Sequence, residues 1–357
     1  MKSLFLSLLG IGLGTATLAG PTNPDKRAPE ASSALDRPAV IGRQPARAFL
    51  LGIARAGKRI VAVGERGMVL LSNDEGLTWH QSPIPVSVTL TAVRFADKDH
   101  GFAVGHGGTV LSTSDGGRTW TRLLDGKRIA DIELEAARLT EEPASMRAAE
   151  RLQRDGPDKP LLDVFVKDAK HALVIGAYGV ILATEDGGQT WASWRSRIDN
   201  PKEQHLYTLR VNADQILIAG EQGMALLSND AGKRFQRLAV PYQGSYFTAE
   251  LPGNQVIVLA GMRGNVWRSA DSGATWARLE SPVPASVTSS VLRSDGTMLL
   301  TNQAGMVMVL AGQSLSPLKV AALPPLNTIL QTADGGAIVL TSAGIQKLKS
   351  TPMEQAK

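Results

Sequence analysis

The stretch His100–Trp120 reads HGFAVGHGGTVLSTSDGGRTW, and it decides the fold because both of its halves recur along the chain. Its second half, TSDGGRTW, contains an Asp-x-Gly-x-Thr-Trp turn that we call the Asp box. Full copies occur as SNDEGLTW, TEDGGQTW and SADSGATW, and SNDAGKRF is a worn copy without the Thr and Trp. Each copy places an Asp five residues before an aromatic residue: Asp74 before Trp79, Asp115 before Trp120, Asp186 before Trp191, Asp230 before Phe235 and Asp271 before Trp276.

The residue types of the Asp box are those of a structural turn. An Asp side chain accepts hydrogen bonds from backbone N–H groups a few residues on, and the Gly tolerates a positive φ. The Trp offers a large apolar surface, which we expect to be buried in the gap between adjacent sheets. Because the boxes occur once per repeat, their carboxylates are expected to lie on the order of tens of ångströms apart. We therefore expect neither paired catalytic carboxylates nor a metal site at the boxes.

The first half of the stretch is an apolar run, a Gly-x-x-Gly turn and a second apolar run, and it recurs seven times, the last two copies without the first Gly. The second glycines are spaced by 41, 71, 44, 41, 41 and 39 residues, at Gly67, Gly108, Gly179, Gly223, Gly264, Gly305 and Gly344. Short β-rich units that repeat about every 40 residues are typical of propellers with four-stranded blades. The sequence therefore predicts an all-β protein, a seven-bladed β-propeller over residues 37–350.

Two segments depart from the repeat. The wide spacing before Gly179 contains apolar residues at helical intervals, so we expect a helical hairpin over Asp125–Arg154, inserted between blades two and three. Its apolar stripe either packs on the propeller or contacts a partner. The seventh unit ends after its third strand, so we expect Arg37–Gly42 to form the outer strand of that blade and to close the ring.

The two ends of the chain carry no repeat. Residues 1–19 combine Lys2, an apolar run and small residues before a cut after Ala19, which predicts a signal peptide and an exported protein, soluble in the periplasm or another extracytoplasmic space. Residues 20–36 are rich in Pro, Ala and Ser and predict a flexible linker, and residues 351–357 form a tail. Because the chain has no Cys, we expect neither a disulfide nor a lipid-modified Cys.

The composition argues against several classes of ligand. The formal net charge of +5 is spread over scattered Lys and Arg residues, which is not the pattern of a nucleic-acid-binding protein. The five His residues show no metal-ligand spacing. We therefore expect a monomer without nucleic acid, metal or cofactor.

The Gly-x-x-Gly turns provide the candidate binding residues, because they should cluster at one end of the ring. The repeat requires the glycines but leaves the positions between them open to side chains that suit partner recognition. The candidates are Arg66, His106, Tyr178, Gln222 and Arg263.

The innermost strands should line a central channel, and four of them carry a polar residue near the end. These residues are either the lining of a wet channel or an anion or peptide site. They are Arg94, Arg210, Glu250 and Gln331.

A second hypothesis belongs to a different class: a glycan-binding or sialidase-like glycoside hydrolase propeller. Sialidases use a Tyr nucleophile, and we would expect a Glu partner and an arginine cluster beside it. Tyr246 has Glu250 four residues on, so the two would share a strand face, but the Phe-Arg-Ile-Pro signature of that class is absent. We therefore expect a binding module and not an enzyme.

The units His100–Trp120 and HALVIGAYGVILATEDGGQTW (His171–Trp191) resemble the photosystem II stability and assembly factor-like family of bacterial neuraminidase-repeat propellers. The resemblance covers Phe49–Lys349 apart from the inserted hairpin, although units six and seven lack Asp boxes. It implies a seven-bladed propeller beyond the cytoplasmic membrane that binds a membrane-protein subunit during complex assembly and performs no chemistry. Our leading hypothesis is a scaffold or assembly factor that docks such a subunit, or a transporter component, at the outer face of that membrane.

Overall fold

The computed structural model describes residues 33–140 and 142–349. The signal peptide, most of the linker and the tail expected from the sequence lie outside these residues. Within them the chain forms seven antiparallel sheets, six of four strands and one of three. Two helices, α1 (Gly126–Thr140) and α2 (Pro143–Arg154), lie between the second and third sheets.

Consecutive strands pair in each sheet, and we number the sheets in chain order. Sheets 1 and 2 comprise β1 (Leu50–Ala56), β2 (Arg59–Gly64), β3 (Val69–Ser72), β4 (His80–Gln81), then β5 (Leu90–Phe95), β6 (Gly101–Gly105), β7 (Val110–Thr113) and β8 (Thr121–Leu124). Sheets 3 and 4 comprise β9 (Leu161–Val166), β10 (Ala172–Gly176), β11 (Ile181–Thr184), β12 (Ala192–Ser193), then β13 (Leu206–Asn212), β14 (Gln215–Gly220), β15 (Ala225–Ser228) and β16 (Gln236–Arg237).

The remaining three sheets continue the same order. Sheets 5 and 6 comprise β17 (Tyr246–Glu250), β18 (Ile257–Gly261), β19 (Val266–Ser269), β20 (Ala277–Leu279), then β21 (Val287–Leu292), β22 (Met298–Asn302), β23 (Val307–Ala311) and β24 (Ser314–Pro317). Sheet 7 comprises β25 (Leu326–Gln331), β26 (Ala337–Thr341) and β27 (Gly344–Leu348).

The core lies between neighbouring sheets. The second strand of each sheet is almost wholly buried, as in the run Val61–Val63 of β2, because both faces of the sheet are covered. Each buried apolar cluster in the described residues joins two sheets that follow each other in order. The last such cluster joins Leu50 and Ile60 of sheet 1 to Ile338 and Leu340 of sheet 7. Apolar packing therefore connects the last sheet to the first.

The prediction that Arg37–Gly42 completes sheet 7 is wrong, because this segment lies beside β4 and the chain that follows it. The Ala39 N–H donates to the Ile84 carbonyl at 3.2 Å, and the Gly42 N–H donates to Oε1 of Gln81 at 2.8 Å. Ala39 also packs against the apolar cluster between sheets 1 and 2. These contacts hold the segment between sheets 1 and 2, and sheet 7 keeps three strands within the described residues.

Packing on the sheets begins slightly earlier than the expected end of the linker at residue 36. The Ser87 N–H donates to the Ala34 carbonyl at 2.8 Å, and Arg122 pairs with Asp36 at 3.2 Å. The last residues of that segment are therefore tied to sheets 1 and 2.

Local sequence explains where the two helices begin. Oδ1 of Asp125 accepts the backbone N–H groups of Lys127 and Arg128 at 3.1 and 3.0 Å, which caps α1, and Pro143 occupies the first turn of α2. Most of the apolar stripe packs down, since Ile129, Ile132 and Leu152 join the cluster between sheets 2 and 3, whereas Leu139 is exposed. Neither helix is long and apolar enough to cross a membrane, and the same holds for the rest of the described chain.

Candidate functional site

The Asp-box carboxylates are occupied by their own turns. In the second box, Oδ1 of Asp115 accepts the N–H groups of Arg118 and Thr119 at 2.8 and 3.0 Å, and Oδ2 accepts the Thr119 hydroxyl at 2.6 Å. The Trp120 indole N–H then donates to the Gly117 carbonyl at 2.9 Å. Little acceptor capacity is left for a substrate or an ion.

The aromatic residues of the boxes pack between neighbouring sheets, but most are less buried than expected. Trp120 is the one buried ring among the five. The other four are half-buried, so the expected burial of the box tryptophans is corrected at Trp79, Trp191 and Trp276. The physical reason lies in the outer strand that follows each box. That strand has only two or three residues after these four rings but four residues in β8 after Trp120, so it covers less of the ring.

Partial exposure leaves the structural role of these rings in place. Trp79 packs against the cluster that joins sheets 7 and 1, and Trp276 packs against the one that joins sheets 4 and 5. Their indole N–H groups donate to the box carbonyls of Gly76 and Gly273 at 3.2 and 3.1 Å. Phe235 packs between sheets 3 and 4 but has no N–H group, so its box lacks this bond. These rings therefore pack between neighbouring sheets while one part of each stays exposed.

Hydrogen bonding also explains the acidity of the box carboxylates. The hydroxyl and N–H of Thr190 hold the pKa of Asp186 at about 2, and those of Thr275 do the same for Asp271. The worn box keeps the turn without the Thr, because the Arg234 N–H still donates to Asp230 at 3.0 Å. The boxes are thus ionised turns at the ends of the third strands.

The Gly-x-x-Gly turns lie at the same end of their sheets, where the first strands begin. In every sheet, the residue at the second position of the turn donates its N–H to the carbonyl of the residue before the first strand. In sheet 1, the Glu65 N–H donates to the Phe49 carbonyl at 3.0 Å. The second Gly can reach the chain that leads to the next sheet, as from the Gly67 N–H to the Val88 carbonyl at 2.7 Å. We call this end the turn face.

The five candidate residues of the turn face are all exposed. Arg66, Tyr178, Gln222 and Arg263 occupy the third position of the turn, with φ between 50° and 58°, and His106 stands one position earlier, before Gly107. Among the described residues, no ion pair or side-chain hydrogen bond holds the side chains of Arg66, His106, Gln222 or Arg263.

Only part of the predicted set is brought into one cavity. Tyr178 and Gln222 line a cavity of about 550 Å³ at the rim of the turn face, together with Glu221 and His205. The Tyr178 ring lies 5.0 Å from the His205 ring. Arg66, His106 and Arg263 do not line this cavity.

A channel is lined by residues of all seven first strands. They surround a cavity of about 90 Å³, and the second residue of each strand contributes to it: Leu51, Thr91, Leu162, Tyr207, Phe247, Thr288 and Asn327. A register shift near the start of the first strand in most sheets, such as that between Leu206 and Thr208, accompanies this arrangement.

An ion-pair network crosses the channel wall. Asp163 pairs with Arg94 at 3.3 Å and with Arg210 at 3.0 Å, and Arg210 reaches Glu250 at 3.4 Å. Burial opposes the charge of Arg210, but Glu250 and Asp163 together raise its pKa above the usual value. Gln331 lies outside this network, and its carbonyl accepts a hydrogen bond from Arg55 at 3.2 Å.

Asp163 is a candidate functional residue that was not predicted from the sequence. Its carboxylate accepts the N–H groups of Val164 and Leu209 at 3.0 Å each, besides pairing with the two arginines. The sequence signal for it was an acidic residue in the otherwise apolar strand LLDVFV. The first strands of the preceding and following sheets each carry an Arg.

Tyr246 and Glu250, the two residues of the sialidase-like hypothesis, lie in different surroundings and have different partners. Tyr246 is fully buried, and burial raises the pKa of its hydroxyl well above the usual range. Glu250 is held by Arg210 and by the Ser290 hydroxyl at 2.8 Å. A nucleophile needs access to substrate and an adjacent activating group, and Tyr246 has neither in the described residues.

Comparison with known families points to one family. The model of the family described as "Photosynthesis system II assembly factor YCF48" matches residues 72–145 and 144–308. A curated relative, the photosystem II assembly lipoprotein Ycf48 of Synechococcus sp. (strain CC9902), is 30% identical over 100 residues. That match spans 27% of this chain and 27% of the relative, so it covers about a quarter of the relative's length.

Solved structures give the wider likeness. A structure described as YCF48 bound to D1 peptide has a TM-score of 0.64 at 16% identity, and the match covers 88% of this chain and 99% of that one. YCF48 from Cyanidioschyzon merolae has a TM-score of 0.62 at 14% identity, covering 85% and 97%. The WD40 β-propeller domain of Doa1 has a TM-score of 0.60 at 10% identity, covering 88% and 95%. These likenesses show the fold, and they confirm the prediction of an all-β propeller.

Proposed function

We propose that this chain, which belongs to the photosynthesis system II assembly factor YCF48 family, is an exported, non-catalytic propeller that binds a membrane-protein subunit through its turn face. The convergence of exposed, uncommitted side chains on the turn face is the observation that carries this proposal. Arg66, His106, Gln222 and Arg263 stabilise no neighbour by a side-chain bond within the described chain, so they are available to a partner.

The scaffold in this proposal is a seven-bladed propeller over residues 37–350, with the helical hairpin inserted between blades two and three. Packing between sheets 7 and 1 supports a closed ring, as does the hydrogen bond from Nδ2 of Asn327 to the Leu50 carbonyl at 2.8 Å. A closed ring holds its turns at fixed distances, which limits the entropy lost on binding.

The absence of catalysis is part of the proposal, and the channel supports it. The carboxylates of Asp163 and Glu250 are paired with arginines and hydrogen-bonded, and the Asp-box carboxylates serve their own turns. A general acid or base must reach a substrate proton at hydrogen-bond distance. Carboxylates that are already paired or hydrogen-bonded in this way stabilise the fold and are not free to take up a substrate proton.

The partner we propose is a membrane-protein subunit at the outer face of the cytoplasmic membrane, bound during assembly of its complex. A related structure is described as bound to D1 peptide, and a curated relative is named a photosystem II assembly lipoprotein. Export after cleavage near Ala19 would bring the propeller to that face. A transporter component is the alternative partner.

The proposal is tested by capture from detergent-solubilised membranes of the host with the mature chain as bait. The variant Arg66→Ala, His106→Ala, Tyr178→Ala, Arg263→Ala should keep its fold, because exposed substitutions usually change stability by only about 0.5 kcal/mol. It should lose the captured subunit by about tenfold or more, as expected when central interface residues are truncated.

The matched control, Arg118→Ala with Lys233→Ala, removes two exposed cations from the Asp-box end and should capture as well as the wild type. Capture that survives the four-site variant but is lost in the control would place the interface at the Asp-box end and reject the turn face.

A further inference from the structure

A cleft separates the helical hairpin from the loop that follows β12. It consists of two adjoining cavities of about 510 and 550 Å³, which share Pro201 and Glu203 in their walls. We call it the hairpin cleft. One end lies at the hairpin tip, beside Leu139, and the other lies at the turn face, beside Tyr178 and Gln222. Cavities of about 300–1,000 Å³ are of the size that binds ligands.

Small side chains keep the cleft open. Ala136 and Ala137 of α1 and Ala144 and Ala148 of α2 line the cavity of about 510 Å³ together with Ile198. The base of the hairpin is packed into the core, but the side chain of Leu139 near the tip is 87% exposed. The cleft therefore offers a shelf of small apolar surface, bounded by Leu139 and Ile198.

The floor of the cleft is rigid and electrically balanced. Glu133, which is buried, accepts the Ser193 hydroxyl at 3.0 Å and pairs with Nε of Arg195 at 3.3 Å. Arg195 also donates to the Tyr178 carbonyl at 2.6 Å. Arg151 of α2 pairs with Glu203 of the loop. These bonds fix the hairpin, the loop and one turn of the turn face relative to each other.

The walls carry an excess of negative charge. The lining contains five carboxylates and three cationic side chains, which gives a formal charge of −2 with His205 neutral, whereas the whole chain carries +5. Glu142 at the hairpin tip and Asp199 on the loop are both exposed, and no cation lies within 4.0 Å of either among the described residues. The lining of the cleft is thus negatively charged, although the net charge of the whole chain is positive.

We propose that the hairpin cleft binds an extended, basic peptide segment of the partner. Lys or Arg side chains of the segment pair with Glu142 and Asp199, their aliphatic stems and small apolar neighbours lie on the alanine shelf, and the segment leaves over Tyr178 and His205. This inference rests on the proposed function, since it assigns one segment of the same partner to the rim of the turn face.

The test uses two fluorescein-labelled, capped peptides as probes, GAKAVKAG and its acidic counterpart GAEAVEAG. Fluorescence anisotropy with the full chain at low salt should show binding of the basic peptide only. The variant Glu142→Lys, Asp199→Lys should weaken that binding by about tenfold or more, and Ala144→Trp, which fills the cleft from an exposed position, should do the same. The control Glu150→Lys, Glu185→Lys changes the net charge equally at sites outside the cleft and should bind as the wild type.

Three results would overturn the inference: equal binding of the acidic peptide, equal loss in the cleft variant and its charge-matched control, or unchanged binding by the cleft variants. The four-site variant of the turn face separates this test from that of the proposed function. Its Tyr178→Ala change aside, it leaves the acidic walls intact, so it should retain most of the binding of GAKAVKAG. If cleft variants bind the peptide normally while the four-site variant loses the membrane subunit, the proposed function stands and the cleft is rejected.

Discussion

An Asp-box carboxylate is a single residue whose role can be measured by its titration. The hydrogen bonds from Thr275 keep the pKa of Asp271 at about 2, below the value of 3.8 expected in the unfolded chain. As the pH falls, the unfolded state therefore takes up the proton first. The stability contributed by this ionised turn is complete above about pH 4 and is lost as the pH falls towards 2.

We expect Asp271→Asn to lower the stability of the chain at pH 7 and to make its dependence on pH shallower between pH 4 and 2. The melting temperature of the variant and of the wild type should converge at the acid end, because protonation removes from the wild type what the substitution removes at neutral pH. A melting-temperature difference that is the same at pH 7 and at pH 2 would contradict this account of the box.

Single residues also show which features of the structure can be predicted from the sequence and which cannot. The Asp and Gly of each box act within a few positions, so their roles follow from local spacing. The burial of the aromatic ring does not, because it depends on how much of the ring the outer strand and the next sheet cover. Asp163 and Arg210 are 47 positions apart, and Glu133 and Ser193 are 60 apart. Their meeting depends on strand register and on how the hairpin docks, which no local pattern specifies.

At the scale of elements, the helical hairpin combines a predictable part with an unpredictable one. Its intervals of apolar residues and the proline at its second helix indicate two helices, and the stripe packs on sheets 2 and 3 as one of the two expected alternatives. The buried Glu133–Arg195 pair beneath it has no sequence signal. Burial raises the pKa of the Glu133 carboxyl, although Arg195 and Ser193 oppose that shift.

We expect Arg195→Met to destabilise the chain by about 3–5 kcal/mol, because it leaves the Glu133 carboxylate buried without a cation. Urea unfolding at pH 7 measures this loss. Because the pKa of Glu133 in the folded chain is raised, the stability of the variant should increase as the pH falls and the carboxyl becomes neutral. The double variant Glu133→Gln, Arg195→Met should recover part of the loss at pH 7, and a double variant no more stable than the single one would refute the role of the pair.

The segment Arg37–Gly42 shows why an element can be recognised and still be misplaced. Its lack of a repeat and its position before β1 made it the available strand for sheet 7. The contacts of Ala39 with the chain after β4, and of Gly42 with Gln81 of β4, hold it between sheets 1 and 2 instead. The pairing partner of an edge segment depends on which apolar surface it covers, and that is a property of the folded chain.

At the scale of the whole molecule, the repeat sets the order of the sheets and the end at which the turns collect. The periodic glycines and boxes were sufficient to predict the all-β propeller that the comparisons show. They were not sufficient to predict the hairpin cleft, which arises from an insertion, a loop and one turn that are adjacent only in the folded chain. The repeat thus explains the scaffold, and the departures from it create the individual surface.

The central claim is that a membrane-protein subunit binds at the turn face. Amide hydrogen exchange, compared between the free chain and the complex captured from membranes, tests it most directly. Exchange should slow in the turns Glu65–Gly67, His106–Gly108, Ala177–Gly179, Glu221–Gly223 and Met262–Gly264, because their outer surface becomes covered, and it should stay unchanged in the Asp boxes. Slowed exchange in the Asp boxes with unchanged turns would contradict the account.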